Sequence, residues 1–326
     1  MTLDRARDAL RHLFAGAEDS QDGVDDTKEM AIVDPAGPDA IDKGPVPSTH
    51  DLQVGIASDP GRIRDHNEDA SLAWHFVLAK LGRPPLHVGL FIVADGMGGH
   101  AAGDFASAAV VNALNGITAP ASLGALVGEV RQQLQAVNHA LSEEARQRGQ
   151  EMIGSTVVVL LLFGAHAVVL WAGDSRAYLY REGELKALTR DHSQVEEFVS
   201  LGLITREQAE GHPASNIITR AVGVAGQLEL DSEMFEIAAG DTVLLCSDGL
   251  YRELDNGEIS TCLAMDDCQQ ACDALLEKAL ARGARDNVSV VLARALHEEQ
   301  VTRTHYNPSV TPAGGHPARD DDPTTC

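Results

Sequence analysis

The residues best suited to chemistry in this sequence are acids that stand at or beside the ends of apolar segments. They are Glu68, Asp69, Asp95, Asp174, Asp248 and Asp286. Burying an unpaired carboxylate is costly, and carboxylates placed close together repel one another. A divalent cation resolves both problems, because Mg²⁺ and Mn²⁺ prefer oxygen ligands. The pattern therefore indicates a divalent-metal site assembled from several separate segments.

Two of these acids are followed by glycine, as Asp95-Gly96 and Asp248-Gly249, and each pair closes an apolar run. Because glycine has no Cβ, the Gly96 carbonyl could come close to a cation. Taken singly, such a pair is also typical of a plain turn after a strand, and Asp286-Asn287 could equally be a turn or a cap. The repetition of the pattern is what favours a metal site over isolated turns.

The elements that would position the acids are predicted as pairs of strands separated by pairs of helices. Strand patterns cover 52–56, 88–94, 155–163, 166–172, 176–180, 233–237, 242–247 and 288–293. Helix patterns cover about 103–115, 122–149, two short helices within 193–210, and 267–282. Paired strands, unlike strict strand–helix alternation, favour antiparallel sheets packed face to face with helices outside, which is an α+β fold.

The two ends of the chain lack these patterns. Residues 3–14 could form a short amphipathic helix, but the rest of 1–50 is rich in Asp, Gly and Pro without an apolar period. The end of the chain has a similar composition. We therefore expect a folded domain over 51–297, a disordered acidic extension at 1–50 and a disordered tail at 298–326.

Composition narrows the class of protein. The formal net charge of −24 argues against nucleic acid or an anionic membrane as a partner. The longest apolar run, Thr156–Trp171, is interrupted at Gly164 and is too short to span a bilayer. No signal peptide pattern is visible, and five cysteines without a framework spacing indicate reduced thiols in the cytoplasm. Cys268 and Cys272 are predicted to be core residues, not zinc ligands.

Eight short motifs follow one another in the region 52–296. They are Arg64-Asp65-His66-Asn67-Glu68-Asp69, Ala94-Asp95-Gly96-Met97-Gly98-Gly99-His100, Gly154-Ser155-Thr156, Ala172-Gly173-Asp174-Ser175-Arg176, Leu188-Thr189-Arg190-Asp191-His192-Ser193, Ile218-Thr219-Arg220-Ala221-Val222-Gly223, Leu245-Cys246-Ser247-Asp248-Gly249-Leu250 and Asp286-Asn287. Each motif is a loose pattern, but eight in this order resemble the metal-dependent protein phosphatases, also called type 2C Ser/Thr phosphatases. The resemblance implies a four-layer αββα sandwich with a metal site between the ends of the sheets.

The resemblance also implies a role for each acid toward two Mn²⁺ or Mg²⁺ ions. Asp95 bridges the two ions, and the Gly96 carbonyl and Glu68 bind one of them. The other ion is held by Asp248 and Asp286.

Three further residues are assigned by the same resemblance. Asp69 orients metal-bound water, and Asp174 together with Asp248 binds an optional third ion, as in bacterial members. Arg64 binds the substrate phosphate, for which its planar guanidinium suits bidentate contact.

One position departs from the animal members of the family, which carry a histidine after this Asp-Gly pair to protonate the leaving group. Met97 stands there instead, as in many bacterial members. His100 is not promoted to general acid, and a metal-bound water is the expected proton donor. His192 is expected to be structural, and 195–214 corresponds to the mobile flap of the family.

The function implied is hydrolysis of phosphoserine and phosphothreonine by a hydroxide that bridges two metal ions. The expected partners are phosphoproteins, including a cognate Ser/Thr kinase and its substrates, and the expected state is a monomer. Three alternatives stay open: a small-molecule phosphohydrolase, a phosphoprotein-binding pseudophosphatase, and an interaction protein whose phosphatase fold is incidental. The pseudophosphatase predicts a missing ligand, and none is missing.

Overall fold

The computed structural model describes residues 51–78, 85–98, 102–118, 120–209 and 211–296. The predicted helix at 3–14, the two predicted disordered ends and His100 lie outside the described residues. Within the described part of the chain, no helix combines the length and the hydrophobicity needed to cross a membrane.

Eleven strands form two antiparallel sheets in the described residues. In chain order they are β1 (Leu52–Asp59), β2 (Asp69–Leu78), β3 (Leu86–Met97), β4 (Gly154–Ser155), β5 (Val157–Phe163), β6 (His166–Ala172), β7 (Arg176–Arg181), β8 (Glu184–Ala187), β9 (Asp231–Glu236), β10 (Thr242–Cys246) and β11 (Val288–Ala295). The first sheet has the order β1-β11-β10-β7-β8. The second has the order β2-β3-β5-β6-β9, with the short β4 paired to β3.

Seven helices flank the sheets in the same residues. They are α1 (Gly103–Asn115), α2 (Leu123–Arg148), α3 (Gln194–Ser200), α4 (Arg206–Ala209), α5 (Asp248–Tyr251), α6 (Asn256–Leu263) and α7 (Cys268–Ala281). The predicted limits of α2 are confirmed. The Ser122 hydroxyl accepts from the Ala125 N–H at the start, and Gly149 ends the helix at φ 64°.

Three apolar layers separate these elements. Phe91 and Val243 belong to the layer between the two sheets. Leu134 of α2 packs in the layer outside the second sheet, and Leu275 of α7 packs in the layer outside the first. Burying a leucine contributes about 1.5–3 kcal/mol, so these layers hold the four-layer α+β sandwich together. The prediction of that fold is confirmed.

The cysteine prediction also agrees with the fold. Cys268 and Cys272 lie on the inner face of α7, where both are fully buried among apolar neighbours. All four described cysteines are free thiols. Both residues are therefore core residues.

Four elements were absent from the sequence prediction, although two of them carry a usable signal. Leu72, Trp74 and Phe76 alternate along β2 and pack on the helix side of the second sheet, which is the period of a strand. Asp255 and Glu258 form a capping box at the start of α6. The other two, β8 and α5, have only four residues each and are too short for a periodic signal.

Candidate metal and phosphate site

The predicted site residues converge on one cleft of about 370 Å³ at an edge of the sandwich. Its lining includes Arg64, Glu68, Asp95, Gly96, Asp174, Asp248 and Asp286. The fold thus brings together residues that lie far apart in sequence. Asp69 is the exception: it does not line the cleft, but it stands opposite Asp95 in the β2–β3 pairing.

Asp95 lies inside β3 and does not end it, so the interpretation of Asp95-Gly96 as a possible turn is wrong. Its backbone is held by hydrogen bonds to Ser155 and Thr156, which follow α2 in the chain. The Asp95 N–H donates to Thr156 Oγ1 at 3.1 Å, and the Thr156 N–H donates back to the Asp95 carbonyl at 2.8 Å. Ser155 Oγ donates to the same carbonyl at 3.0 Å. The Gly154-Ser155-Thr156 motif therefore positions Asp95.

The glycines after the two aspartates are required by close backbone packing. A Cβ on Gly96 would lie 2.1 Å from the Gly103 carbonyl oxygen, and one on Gly249 would lie 2.1 Å from the Asn287 carbonyl oxygen. Real Cβ atoms do not come so close, so any side chain at these positions would push the acids out of place. This reason for the glycines is independent of a metal, and the role of the Gly96 carbonyl as a ligand stays a prediction.

Asn287 has a positioning role that the sequence did not reveal. Its side-chain Oδ1 accepts from the Glu68 N–H at 2.8 Å, and its Nδ2 donates to the carbonyls of Pro60 and His66, both at 2.9 Å. One buried amide thereby ties the segment that carries Arg64 to the start of β11. In the sequence, Asn287 stood out only because it follows Asp286 in one of the eight motifs.

Asp69 sits behind the cleft at the junction of the two sheets. Its Oδ2 accepts a 2.7 Å hydrogen bond from Ser247 Oγ, which in turn accepts from the Ser289 N–H at 2.9 Å. Since Ser247 immediately precedes Asp248, this hydroxyl connects Asp69 to the backbone that carries Asp248. A supporting position for Asp69 fits the expectation that it acts on water and does not bind an ion directly.

Burial makes these carboxylates hard to ionise. Burial, followed by repulsion from neighbouring carboxylates, raises the pKa of Asp69 and of Asp174 to about 7. The pKa of Asp248 rises to about 6, mainly by burial, and that of Asp95 lies well above its usual range for the same reason. A nearby cation would favour the ionised form of these carboxylates and so oppose the effect of burial.

In the cleft and directly behind it, carboxylate oxygens have unused acceptor capacity. Among the described residues, Oδ1 of Asp69, of Asp174 and of Asp248 is buried and has no hydrogen-bond partner. Buried polar atoms are normally paired, and such exceptions are common where an ion or water binds. Several hard oxygen donors in one cleft fit Mg²⁺ or Mn²⁺ better than a soft metal.

The acids are nevertheless not arranged as a finished coordination sphere. In the described part of the chain, no three His, Cys, Asp or Glu side chains form a group that could hold a metal ion. Two arginines partner the acids instead. Arg64 Nη2 lies 2.9 Å from Asp286 Oδ2, and Arg252 Nη2 lies 2.9 Å from Asp248 Oδ2. Metal binding at Asp286 would require the Arg64 pair to loosen.

His192 is placed as a structural residue, as expected. Its Nδ1 accepts from the Gly173 N–H at 3.1 Å, and its Nε2 lies 3.2 Å from Asp231 Oδ2. The ring stacks on Trp171. His192 thus holds the turn that presents Asp174, and it does not line the cleft.

The predicted flap, 195–214, contains α3 and α4 but contributes none of the described cleft lining. Asn216 and Ile218, which follow it, line the cleft instead. A backbone bridge between Ser193 and Ile218 closes the base of this segment. The segment therefore borders the site through its C-terminal end.

Comparison with known proteins places the chain among bacterial phosphatases. The sequence profile described as Protein phosphatase 2C matches residues 67–297. The serine/threonine phosphatase stp of Listeria welshimeri is 36% identical over 247 residues, which is 74% of this chain and 95% of that protein. The serine/threonine protein phosphatase PstP of Mycobacterium tuberculosis is 35% identical over 74% of this chain and 45% of its own length.

Solved structures agree with the sequence comparison. PppA, a regulatory component of the type VI secretion system (T6SS) in Pseudomonas aeruginosa, is 41% identical with a TM-score of 0.66, covering 76% of this chain and 99% of that one. The catalytic domain of PstP, solved with two manganese ions, is 34% identical with a TM-score of 0.62 over 76% of this chain and 99% of that one.

Proposed function

The chain belongs to the protein phosphatase 2C family of metal-dependent Ser/Thr protein phosphatases, and from that membership we propose that its cleft hydrolyses phosphoserine and phosphothreonine with two Mn²⁺ or Mg²⁺ ions. The observation that carries the two-ion proposal is the convergence of carboxylates on one cleft, where Asp174 and Asp248 each have a buried oxygen without a hydrogen-bond partner among the described residues. The two manganese ions of the related PstP domain support the same number of ions.

The acids would divide between the two ions. Asp95, which lies on β3 and lines the cleft, would contribute to holding both ions. Glu68 and the Gly96 carbonyl would bind one ion. Asp248 and Asp286 would bind the other. When bound, the ions would supply a hydroxide nucleophile near neutral pH and neutralise negative charge on the phosphate.

Arg64 would bind the phosphate from the rim of the cleft. Its side chain is 50% exposed and contacts Asp286 at 2.9 Å, so the guanidinium can turn toward a ligand without breaking a buried network. Bidentate contact with two phosphate oxygens would orient the phosphorus for in-line attack and offset charge in the transition state. Asp69, behind the cleft, would orient water.

The leaving oxygen of the substrate Ser or Thr needs a proton. Met97 lines the cleft at the position where animal members of the family carry a histidine, and a thioether has no proton to give. We propose that water in the cleft supplies the proton. The substrates would be phosphoproteins, including a cognate kinase, acted on by a monomer.

Metal removal combined with substitution of the acids tests this proposal. Hydrolysis of a chromogenic aryl phosphate should require Mn²⁺, stop with EDTA, and fall by roughly 100-fold or more in Asp95→Asn and Asp248→Asn, because a metal is worth several kcal/mol in such a reaction. The exposed Asp273 of α7 gives a matched control, since Asp273→Asn should retain activity. Activity that survives EDTA or either substitution would contradict the two-metal proposal.

A small-molecule phosphatase is the remaining competitor. Comparing a phosphothreonine peptide with a nucleoside phosphate, at equal Mn²⁺, separates the two. Protein phosphatase activity predicts the larger kcat/KM for the peptide.

A further inference from the structure

Two carboxylates of the cleft share one guanidinium nitrogen. Nη2 of Arg252 lies 2.9 Å from Asp248 Oδ2 and 3.4 Å from Asp174 Oδ2. These are the two acids at which the sequence predicted an optional third cation. An arginine carries its positive charge at every relevant pH, so a permanent cation already lies between them.

The local fold holds Arg252 in this position. It ends the short helix α5 that Asp248 begins, and its N–H donates to the Asp248 carbonyl at 3.1 Å. The residue before it, Tyr251, donates its hydroxyl to the Asp174 carbonyl at 3.0 Å. The Arg176 guanidinium covers the Tyr251 ring at 3.6 Å from its centroid. One helical turn therefore carries Asp248, and its Tyr251 hydroxyl binds the backbone of Asp174. The same turn places the Arg252 guanidinium beside both carboxylates.

The surroundings of these two carboxylates favour a positive charge between them. Asp174 is 3% exposed and Asp248 is 7% exposed, so water solvates neither carboxylate well, and each repels the other. A divalent ion placed between them would have to displace the guanidinium. The displaced guanidinium would then lie near the ion and repel it. The Oδ1 atoms of Asp174 and Asp248 have no hydrogen-bond partner among the described residues, and that of Asp248 stays available to an ion of the main pair.

We propose that Arg252 takes the place of the optional third cation, so that the chain holds two divalent ions and a guanidinium. Asp174 is then a partner of Arg252 and not a metal ligand. The inference rests on the proposed function, because the two remaining ions are the ones assigned there.

Counting bound ions tests the inference independently of activity. After equilibrium dialysis against Mn²⁺, elemental analysis of the wild-type chain should give two ions per chain. Arg252→Met, which keeps an unbranched apolar stem and removes the charge, should add a third and weaker binding event in calorimetry. Arg252→Lys, which keeps the charge, should stay at two. Arg252→Met combined with Asp174→Asn should return to two.

The outcomes separate this inference from the proposed function. A third ion in the wild type that is lost in Asp174→Asn would overturn the inference and leave the two-metal site standing. Two ions in Arg252→Met, with circular dichroism showing a folded protein, would also overturn it. A wild-type chain that binds no Mn²⁺ would overturn the proposed function together with the inference.

Discussion

Arg64 and Arg252 are the arginines that line the cleft in the described residues, and each pairs with an acid expected to bind metal. The chain as a whole carries a formal charge of −24, so positive side chains at this point offset a strong local excess of carboxylate. Their exposure differs, at 50% for Arg64 and 30% for Arg252. The more exposed arginine is the one proposed to bind the substrate phosphate, and the more enclosed one contacts two acids.

Replacing Arg64 should weaken substrate binding more than metal binding. In Arg64→Ala we expect KM for a phosphopeptide, and the inhibition constant of inorganic phosphate, to rise by roughly 10- to 100-fold, because a charge-assisted hydrogen bond contributes about 1.5–3 kcal/mol. Arg64→Lys should recover only part of this loss, since an ammonium cannot form the bidentate contact. Steady-state kinetics and Mn²⁺ calorimetry give both quantities.

The neighbouring Arg62, which is also exposed, provides the control. Arg62→Ala alters the charge of the same segment by the same amount, so an equal rise in KM would mean that Arg64 acts only through general electrostatics. An unchanged KM in Arg64→Ala would show that its assigned role is wrong.

At this scale the sequence marked the acids that the fold brings into or beside the cleft, but it did not mark their partners. Asp95 and Asp248 could be named because a carboxylate beside a buried run is unusual and because the motifs recur in order. The roles of Arg252 and Asn287 depend on which side chain faces which across the folded cleft. That information comes from α5 and from the position of β11, and neither is encoded by local spacing.

The long elements were predictable because their patterns extend over several turns or pairs. Helix α2 has 26 residues with capping residues at both ends, which is far more signal than the four residues of α5 provide. Strand β3 runs further than its apolar core, through Asp95 and Gly96, because β2 and β4 continue to pair with it. Tertiary pairing extended an element past the point at which its sequence pattern ended.

A buried amide is one of the links between helix α2 and the segment behind the cleft. Asn138 is fully buried; its Oδ1 accepts from the Gly223 N–H and its Nδ2 donates to the Ala225 carbonyl, both at 2.7 Å. The adjacent Val222 forms a backbone bridge with Ser155, which supports Asp95. The helix thus supports the segment that packs behind Asp95.

Asn138→Ala should destabilise the domain by about 2–3 kcal/mol, because two buried backbone groups would lose their partners. Urea denaturation followed by circular dichroism measures this change. Gln132, on the exposed face of the same helix, supplies the control, and Gln132→Ala should leave the midpoint nearly unchanged. Equal midpoints for the two variants would mean that the Asn138 amide does not brace the segment.

On the scale of the molecule, all three apolar layers and the whole described cleft fall between Leu52 and Leu296. The family profile matches residues 67–297, and the domain limits of 51–297 stay a prediction. The function of the regions on either side stays open, since no motif in them indicates a chemistry.

A chain limited to residues 51–297 should therefore fold and retain Mn²⁺-dependent phosphatase activity on a small aryl phosphate. We expect the same kcat/KM as the full-length protein and one cooperative thermal transition, because no described layer would lose a contributing residue. Calorimetry and steady-state kinetics on both chains make the comparison. A truncated chain that aggregates or loses activity would show that the predicted domain limits are too narrow.

The ladder between β2 and β3 has a consequence for how this protein can evolve. Ten residue pairs, from Leu78 opposite Leu86 to Asp69 opposite Asp95, set the two acids across from each other. Moving either strand by one residue would turn every one of its side chains to the opposite face. Substitutions along β2 can therefore accumulate gradually in descendants of this sequence, whereas a single-residue insertion or deletion within either strand would separate the acids in one step.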